Sequence, residues 1–252
     1  KMKGVPILGV GGYREDQPEV RDFPVVTSDQ IEIGRLGARH LIDIGLRHFA
    51  FCPGIQDRGM QWCVEREQGF REALEAHGHT YHRFEGDPAI AGQMPLLLRA
   101  IGEWISRLEK PVGVFVYFDG WARLLLDACI LEGVHVPKEV AVLGVDDDRW
   151  LCELSQPRLS SVDPNVVNAG YIAAETLAAM IQGHPPAERV QRIAPTGVVA
   201  RDSTDVMAVG DPEISFAIRY IREHACDPIT PGDVLKVTGL SNSTAYRKFM
   251  KI

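Results

Sequence analysis

Short, unbroken apolar runs alternate along the chain with stretches whose apolar residues recur every three or four positions. The runs are VPILGV (5–10), PVVTS (24–28), FAFC (49–52), VGVFVYF (112–118), VAVLGV (140–145) and GVVA (197–200). They are too continuous for strands with one wet face, so they read as buried strands of parallel sheets. Two shorter strands are expected at Tyr81–Phe84 and Leu159–Val162. Between them the periodicity predicts helices. One runs from Gln30 to Ile44, with Ile33, Leu36, Leu41 and Ile44 on one face, Asp29 as its cap and Gly45 as its stop. Others cover Gln68–Ala76, Ala91–Leu108, the stretch holding Trp121, Leu124, Leu125, Ala128 and Leu131, and Asn165–Ile181. Strand and helix alternate from residue 5 to residue 200, which predicts an α/β architecture with helices on both faces of its sheets.

The pattern changes at Asp211-Pro212. Ile214, Ala217, Ile218 and Ile221 make the apolar stripe of a helix reaching about Cys226. Thr230-Pro231-Gly232-Asp233 opens a short second helix, Gly239 makes a turn, and Ser241 caps a third helix running to Lys251. Helix, short helix, glycine turn and polar-basic helix is the helix-turn-helix order.

Charge sharpens this division. The chain of 252 residues carries a net charge of −7. Residues 1–210 hold 21 Lys+Arg against 29 Asp+Glu, while residues 211–252 hold 6 against 5. An acidic body with a mildly basic end suits a small-molecule domain joined to a nucleic-acid-binding one. No apolar run approaches the ~20 residues of a membrane span, and KMKGVPILGVGGY lacks the cleavage site of a secretory signal. The five cysteines are scattered and form no zinc or redox spacing, which predicts free thiols in the cytoplasm.

Candidate chemistry gathers at strand ends. Asp146, Asp147 and Asp148 follow VAVLGV directly, at the sheet edge where open α/β sheets bind ligands. Three adjacent carboxylates repel one another unless something pairs with them. Asp119 follows the strand VGVFVYF, either as a helix cap or as a second acid facing the same crevice. Arg66 lies one helical turn from Trp62, so the two share a face; the alternative is a solvent-facing arginine beside a core tryptophan. GVGG (9–12) has neither Walker nor dinucleotide spacing. His77, His79 and His82 have no carboxylate or cysteine at ligand spacing, so they read as loop histidines, with no metal site.

VPKEVAVLGVDDD (136–148), QPRLSSV (156–162) and GYIAAETL (170–177) together resemble the effector-binding domain of LacI-type repressors. VVARDSTDVMAV (198–209) and GLSNSTAYRKFMK (239–251) resemble the xylose-responsive branch, which carries an AraC-type DNA-binding domain at its C-terminus. The resemblance implies two-lobed, periplasmic-binding-protein-like, doubly wound parallel sheets with a small all-α helix-turn-helix segment. It implies a sugar sensor over 1–205 and an incomplete DNA-binding segment over 206–252. One lobe would hold residues 28 to about 160, the other 1–27 and about 162–190, with hinges near Thr27-Ser28 and Ser160–Val162.

The implied partners are a monosaccharide effector (a pentose, xylose), operator DNA and a second copy of the chain, with no cofactor and no membrane. Asp146, Asp119, Arg66 and Trp62 would hold the sugar. Asn242, Ser243, Tyr246, Arg247 and Lys248 would meet DNA. Two features depart from the family: Phe118 stands where it has asparagine, and only the first of two helix-turn-helix units is present. About three β-α units of the family's sensor have no counterpart before Val5, so the sequence reads as a piece of a longer chain. The competing functions are an enzyme using Asp119 and Asp146 as a carboxylate dyad, and a sugar-binding protein without a regulatory role, exported or cytoplasmic.

Overall fold

A computed structural model describes residues 5–11, 23–57, 59–206 and 212–250. The chain divides into two compact units, 1–204 and 205–252.

Among the described residues, the first unit contains two sheets. The smaller has three parallel strands in the order β1-β2-β8: β1 (Gly9–Val10), β2 (Val25–Ser28) and β8 (Val190–Ile193). The larger has six, in the order β4-β3-β5-β6-β7-β9: β3 (His48–Cys52), β4 (His82–Arg83), β5 (Val112–Val116), β6 (Val140–Val145), β7 (Ser160–Asp163) and β9 (Gly197–Val199). Every residue of β5 and β6 is buried, as their unbroken apolar character predicts. The helices are α1 (Gln30–Asp43), α2 (Gln61–Ala76), α3 (Met94–Arg107), α4 (Asp119–Leu131), α5 (Arg149–Leu154) and α6 (Val166–Ile181). From β3 the chain crosses through α2 to β4 on one side, then through α3 back to β5 on the other. Right-handed crossovers therefore place α2 and α3 on opposite faces and leave a crevice at the carboxyl ends of β3 and β5.

α1 and α2 approach each other closely because glycines face each other at the crossing. A Cβ on Gly34 would lie 2.0 Å from the Arg66 carbonyl oxygen, and one on Gly69 would lie 1.9 Å from that of Ile31. Gly37 makes room in the same way for the Phe115 ring, 2.7 Å from where its Cβ would be. The Asp29 carboxylate accepts the Glu32 amide at 3.0 Å and caps α1, and Gly45 with φ 88° closes the turn beyond it.

Four expectations need correction. VPILGV is not a buried strand. Only Gly9–Val10 pairs, at the edge of a three-stranded sheet, and Val5, Ile7 and Val10 are exposed. β9 runs antiparallel to β7, so the larger sheet is mixed. The helix expected from Gln68 begins at Gln61, a full two turns earlier, and takes Trp62 and Arg66 into it. The second hinge lies later than Ser160–Val162, because β7 belongs to the larger sheet as far as Asp163. The chain crosses between sheets at Asp29, at Pro164-Asn165 and at 194–196; Ser28 Oγ donates to the Pro164 carbonyl at 2.7 Å, and the Asp29 amide to that of Ile193 at 2.8 Å. The acidic loop after Gly11 lies outside the described residues.

Among the described residues, the second unit has three helices, α7 (Pro212–Glu223), α8 (Pro231–Thr238) and α9 (Asn242–Phe249). Thr230 and Asp233 form a capping box at the start of α8, Gly239 with φ 68° ends it, and Ser241 Oγ accepts the Thr244 amide to start α9. Among the described residues of this unit, Ile214, Ala217 and Ala245 are buried.

Candidate functional site

A cavity of about 330 Å³ opens at the crevice where the strand order reverses, lined by Gln30, Asp57, Trp62, Arg66, Phe118 and Asp146. Its size suits a small molecule. The lining comes from the first turn of α1, the loops after β3 and β5, the end of β6, and one face of α2.

Arg66 is its centre. The guanidinium is nearly buried: Nε donates to Gln30 Oε1 at 2.7 Å, one terminal nitrogen donates to the Tyr117 carbonyl, and the other reaches Asp146 Oδ1 at 3.4 Å. Its Cζ stands 5.0 Å from the centre of the Trp62 ring, one helical turn back. Burial lowers the Arg66 pKa while Asp146 raises it; the net shift is downward, and an arginine still carries its charge at neutral pH. Trp62 stacks on Tyr117, with centroids 5.3 Å apart and planes 9° from parallel, and the Tyr117 hydroxyl donates to Asp57 at 2.7 Å. Phe118 meets Tyr117 edge to face at 4.7 Å. The lining therefore combines two aromatic rings with an amide, an arginine and two carboxylates.

The three consecutive acids have three different partners. Asp146 faces Arg66 and keeps 43 % of its side chain exposed. Asp147 pairs with Arg201 at 2.8 Å. Asp148 caps α5, accepting the amides of Trp150 and Leu151. That division relieves the repulsion expected from the sequence. Desolvation pushes the Asp146 carboxyl up, and Arg66 pulls it back in part.

Asp119 is neither the cap of α4 nor on the cavity wall. It is 1 % exposed, and its oxygens accept from Ser161 Oγ at 2.7 Å, the Asp148 amide at 2.8 Å and the Cys152 thiol at 3.4 Å. Burial pushes its carboxyl up to about 7, against the hydrogen bonds that favour the charged form. Of the expected sugar-binding residues, the structure thus brings Asp146, Arg66 and Trp62 together and sets Asp119 behind them. Sequence reasoning missed Gln30 and Asp57. Gln30 had a signal, as the first residue after a cap at a crossing between sheets. Asp57 had none beyond following the Pro53-Gly54 stop.

In the second unit, Asn242, Ser243, Tyr246 and Arg247 are exposed on α9. Asn242 and Tyr246 also border an apolar groove of about 460 Å³ shared with Leu240, Ala245 and Phe249. Lys248, expected to be exposed beside Arg247, is instead 28 % exposed and ion-paired to Glu213 of α7. Among the described residues, no cluster of His, Cys, Asp or Glu could hold a metal ion, and no helix is long and apolar enough to cross a membrane. Cys52, Cys63, Cys129, Cys152 and Cys226 are free.

The chain is similar to xylose operon regulatory proteins. It is 30 % identical over 245 residues to that of Haemophilus influenzae, covering 97 % of this chain and 63 % of the relative. It is 29 % identical over 249 residues to that of Escherichia coli K12, covering 97 % and 62 %. Among solved structures, the xylose-binding transcription activator xylR superposes with a TM-score of 0.72 at 28 % identity, over 99 % of this chain and 66 % of that one. A complex of the regulator CelR with cellobiose gives 0.61 at 28 % identity, over 77 % and 58 %. The chain thus spans less than two thirds of the length of each of these proteins. The model of the periplasmic binding protein-like domain matches residues 38–204, the stretch that holds the larger sheet and every cavity-lining residue but Gln30, and the chain belongs to that family.

Proposed function

We propose that this chain is the sensor and part of the DNA-binding region of a sugar-responsive transcription regulator. A pentose, xylose, binds in the cavity and alters DNA binding by the C-terminal unit. The observation that carries this reading is the Arg66–Asp146 pair beside the Trp62 and Phe118 rings. A monosaccharide offers hydroxyls at its rim and C–H groups on its faces. A half-exposed carboxylate accepts hydroxyl donors, an arginine and a glutamine amide donate to hydroxyl or ring oxygens, and aromatic rings cover the apolar face. The names of the relatives support xylose as the effector and operator DNA as the partner.

The reading divides the chain into a sensor over 1–205 and a helix-turn-helix segment over 206–252, with Asn242, Ser243, Tyr246 and Arg247 toward DNA. Lys248 serves packing through Glu213. The protein works in the cytoplasm as a homodimer. Phe118, where the family has asparagine, replaces an amide contact with a stacking surface, so the pocket favours a sugar with one flat C–H face. The proposed regulator is not an enzyme: the relatives are named as regulators of transcription, and Asp119, the acid expected to pair with Asp146 in a dyad, does not reach the cavity wall.

A thermal-shift screen of pentoses and hexoses on the full chain tests this. D-Xylose should raise the melting temperature more than glucose, galactose or ribose. No shift with any pentose at millimolar concentration contradicts it.

A further inference from the structure

The acid turn at the end of β6 has a strained backbone. Asp146 has φ 110° and Asp147 has φ 47°, a region that strains a residue with a Cβ and persists only where the surroundings over-determine it. Each amide of the turn is held by a separate acceptor: Asp146 by the Val162 carbonyl at 3.0 Å, Asp147 by Ser161 Oγ at 3.0 Å and Asp148 by Asp119 Oδ2 at 2.8 Å. Two of these acceptors are one assembly, because the Ser161 hydroxyl that accepts from the Asp147 amide itself donates to Asp119 Oδ1 at 2.7 Å. The sequence leaves space for this carboxylate: a Cβ on Gly144 would lie 2.1 Å from Asp119 Oδ1.

From this arrangement we infer that Asp119 is a positioning residue. Through Ser161 and the Asp148 amide it holds the acid turn in its left-handed form, so that the Asp146 carboxylate faces Arg66 and the cavity, and it does not itself touch the effector. The inference rests on the reading of the cavity as a sugar site. Its reach is specific: without the clamp the turn relaxes toward ordinary φ values, and Asp146 swings away from Arg66. Asp119 thus acts on sugar affinity only through Asp146.

Two measurements on the full chain decide this. The first needs no ligand. Amide hydrogen exchange in Asp119→Asn should speed up tenfold or more at Asp147 and Asp148, with the β6 amides of Val142 and Leu143 unchanged. Unchanged exchange at the turn overturns the clamp. The second is calorimetric titration of D-xylose into Asp119→Asn, Asp146→Asn and the double variant. Each single change should weaken binding tenfold or more, and the double should bind no more weakly than Asp146→Asn alone, since residues acting through one contact are not additive. Multiplying losses make Asp119 an independent contact and overturn the inference. Ser161→Ala keeps the carboxylate and removes one link. It should show the same pattern at smaller size, and serves if Asp119→Asn does not fold. If wild-type chain takes up no pentose, the sugar reading fails, and the amide exchange alone still decides the role of Asp119.

Discussion

Replacing Gly34 by alanine should destabilise the protein even though alanine is the better helix former. The exchange gains about 1 kcal/mol in helix propensity. Against this, the new methyl would sit 2.0 Å from the Arg66 carbonyl oxygen and 2.7 Å from the Phe70 amide nitrogen. Backbone cannot yield as a flexible side chain can. α1 and α2 must part by more than about 1 Å to restore ordinary contact, with overpacking costs of roughly 1–3 kcal/mol or more and loss of the reciprocal approach at Gly69. The net expectation is a loss of up to about 2 kcal/mol, and more where the approach at Gly69 is lost as well. The same displacement separates Gln30 on α1 from Arg66 on α2, which now share a 2.7 Å hydrogen bond, so affinity for the proposed xylose effector should fall with stability.

Gly170 in α6 is the control. A Cβ there meets nothing within 4 Å, so Gly170→Ala should stabilise by about 0.5–1 kcal/mol. Urea unfolding of the three proteins, read by midpoint at constant slope, measures both effects. A Gly34→Ala protein as stable as wild type, or a Gly170→Ala protein weakened as much as Gly34→Ala, would refute the reasoning.

Arg201→Met should cost about 2–4 kcal/mol in the same assay, because it removes donors to Asp147, Glu153 and the Leu159 carbonyl and leaves Asp147 unpaired between two acids; Asp147→Asn in that background should recover part of the loss, and additive costs contradict the pairing. Asp119, with its carboxyl raised to about 7 by burial, binds its proton more tightly folded than unfolded. Its contribution is full below about pH 4 and is lost as pH rises through about 7, on the order of 4 kcal/mol between the limits. Asp119→Asn should remove that falling component from urea midpoints compared at pH 5 and pH 8, and an unchanged profile rejects it. In the proposed regulator, Arg247→Ala should weaken operator binding by roughly 1–3 kcal/mol if the arginine reads a base, or lower the salt slope by about 1 if it meets phosphate; an unchanged gel-shift isotherm removes it from the interface.

Local signals carried the elements well. Unbroken apolar runs located β5 and β6, and Asp29, Gly45, Gly239 and Ser241 marked helix ends that the structure places within a residue or two. Non-local pairing was less legible. Nothing in GVVA tells whether it runs parallel or antiparallel to β7, and VPILGV shows apolar residues without showing how few neighbours they meet. The site was half legible for the same reason. Arg66 and Trp62 lie four apart on one helix, so spacing predicts that they meet. Asp119 also sits at a strand end, but whether its side chain turns to the crevice or back toward Ser161 depends on the space over Gly144, which no spacing encodes. Gln30 and Asp57 reach the cavity because the first turn of α1 and the loop after β3 converge there, and Arg201 reaches Asp147 from 54 residues away.

The central claim is that the Arg66–Asp146 pair is the heart of a pentose site. Calorimetric titration of D-xylose into wild type and Asp146→Ala tests it most directly. Each sugar hydroxyl left without its acceptor costs roughly 1–3 kcal/mol, so losing a carboxylate that accepts two should weaken binding by about two orders of magnitude or more. Sugar-free stability should stay near that of wild type, because Asp146 keeps 43 % of its side chain in solvent at 3.4 Å from Arg66. Equal affinity of the two proteins for xylose would contradict the account.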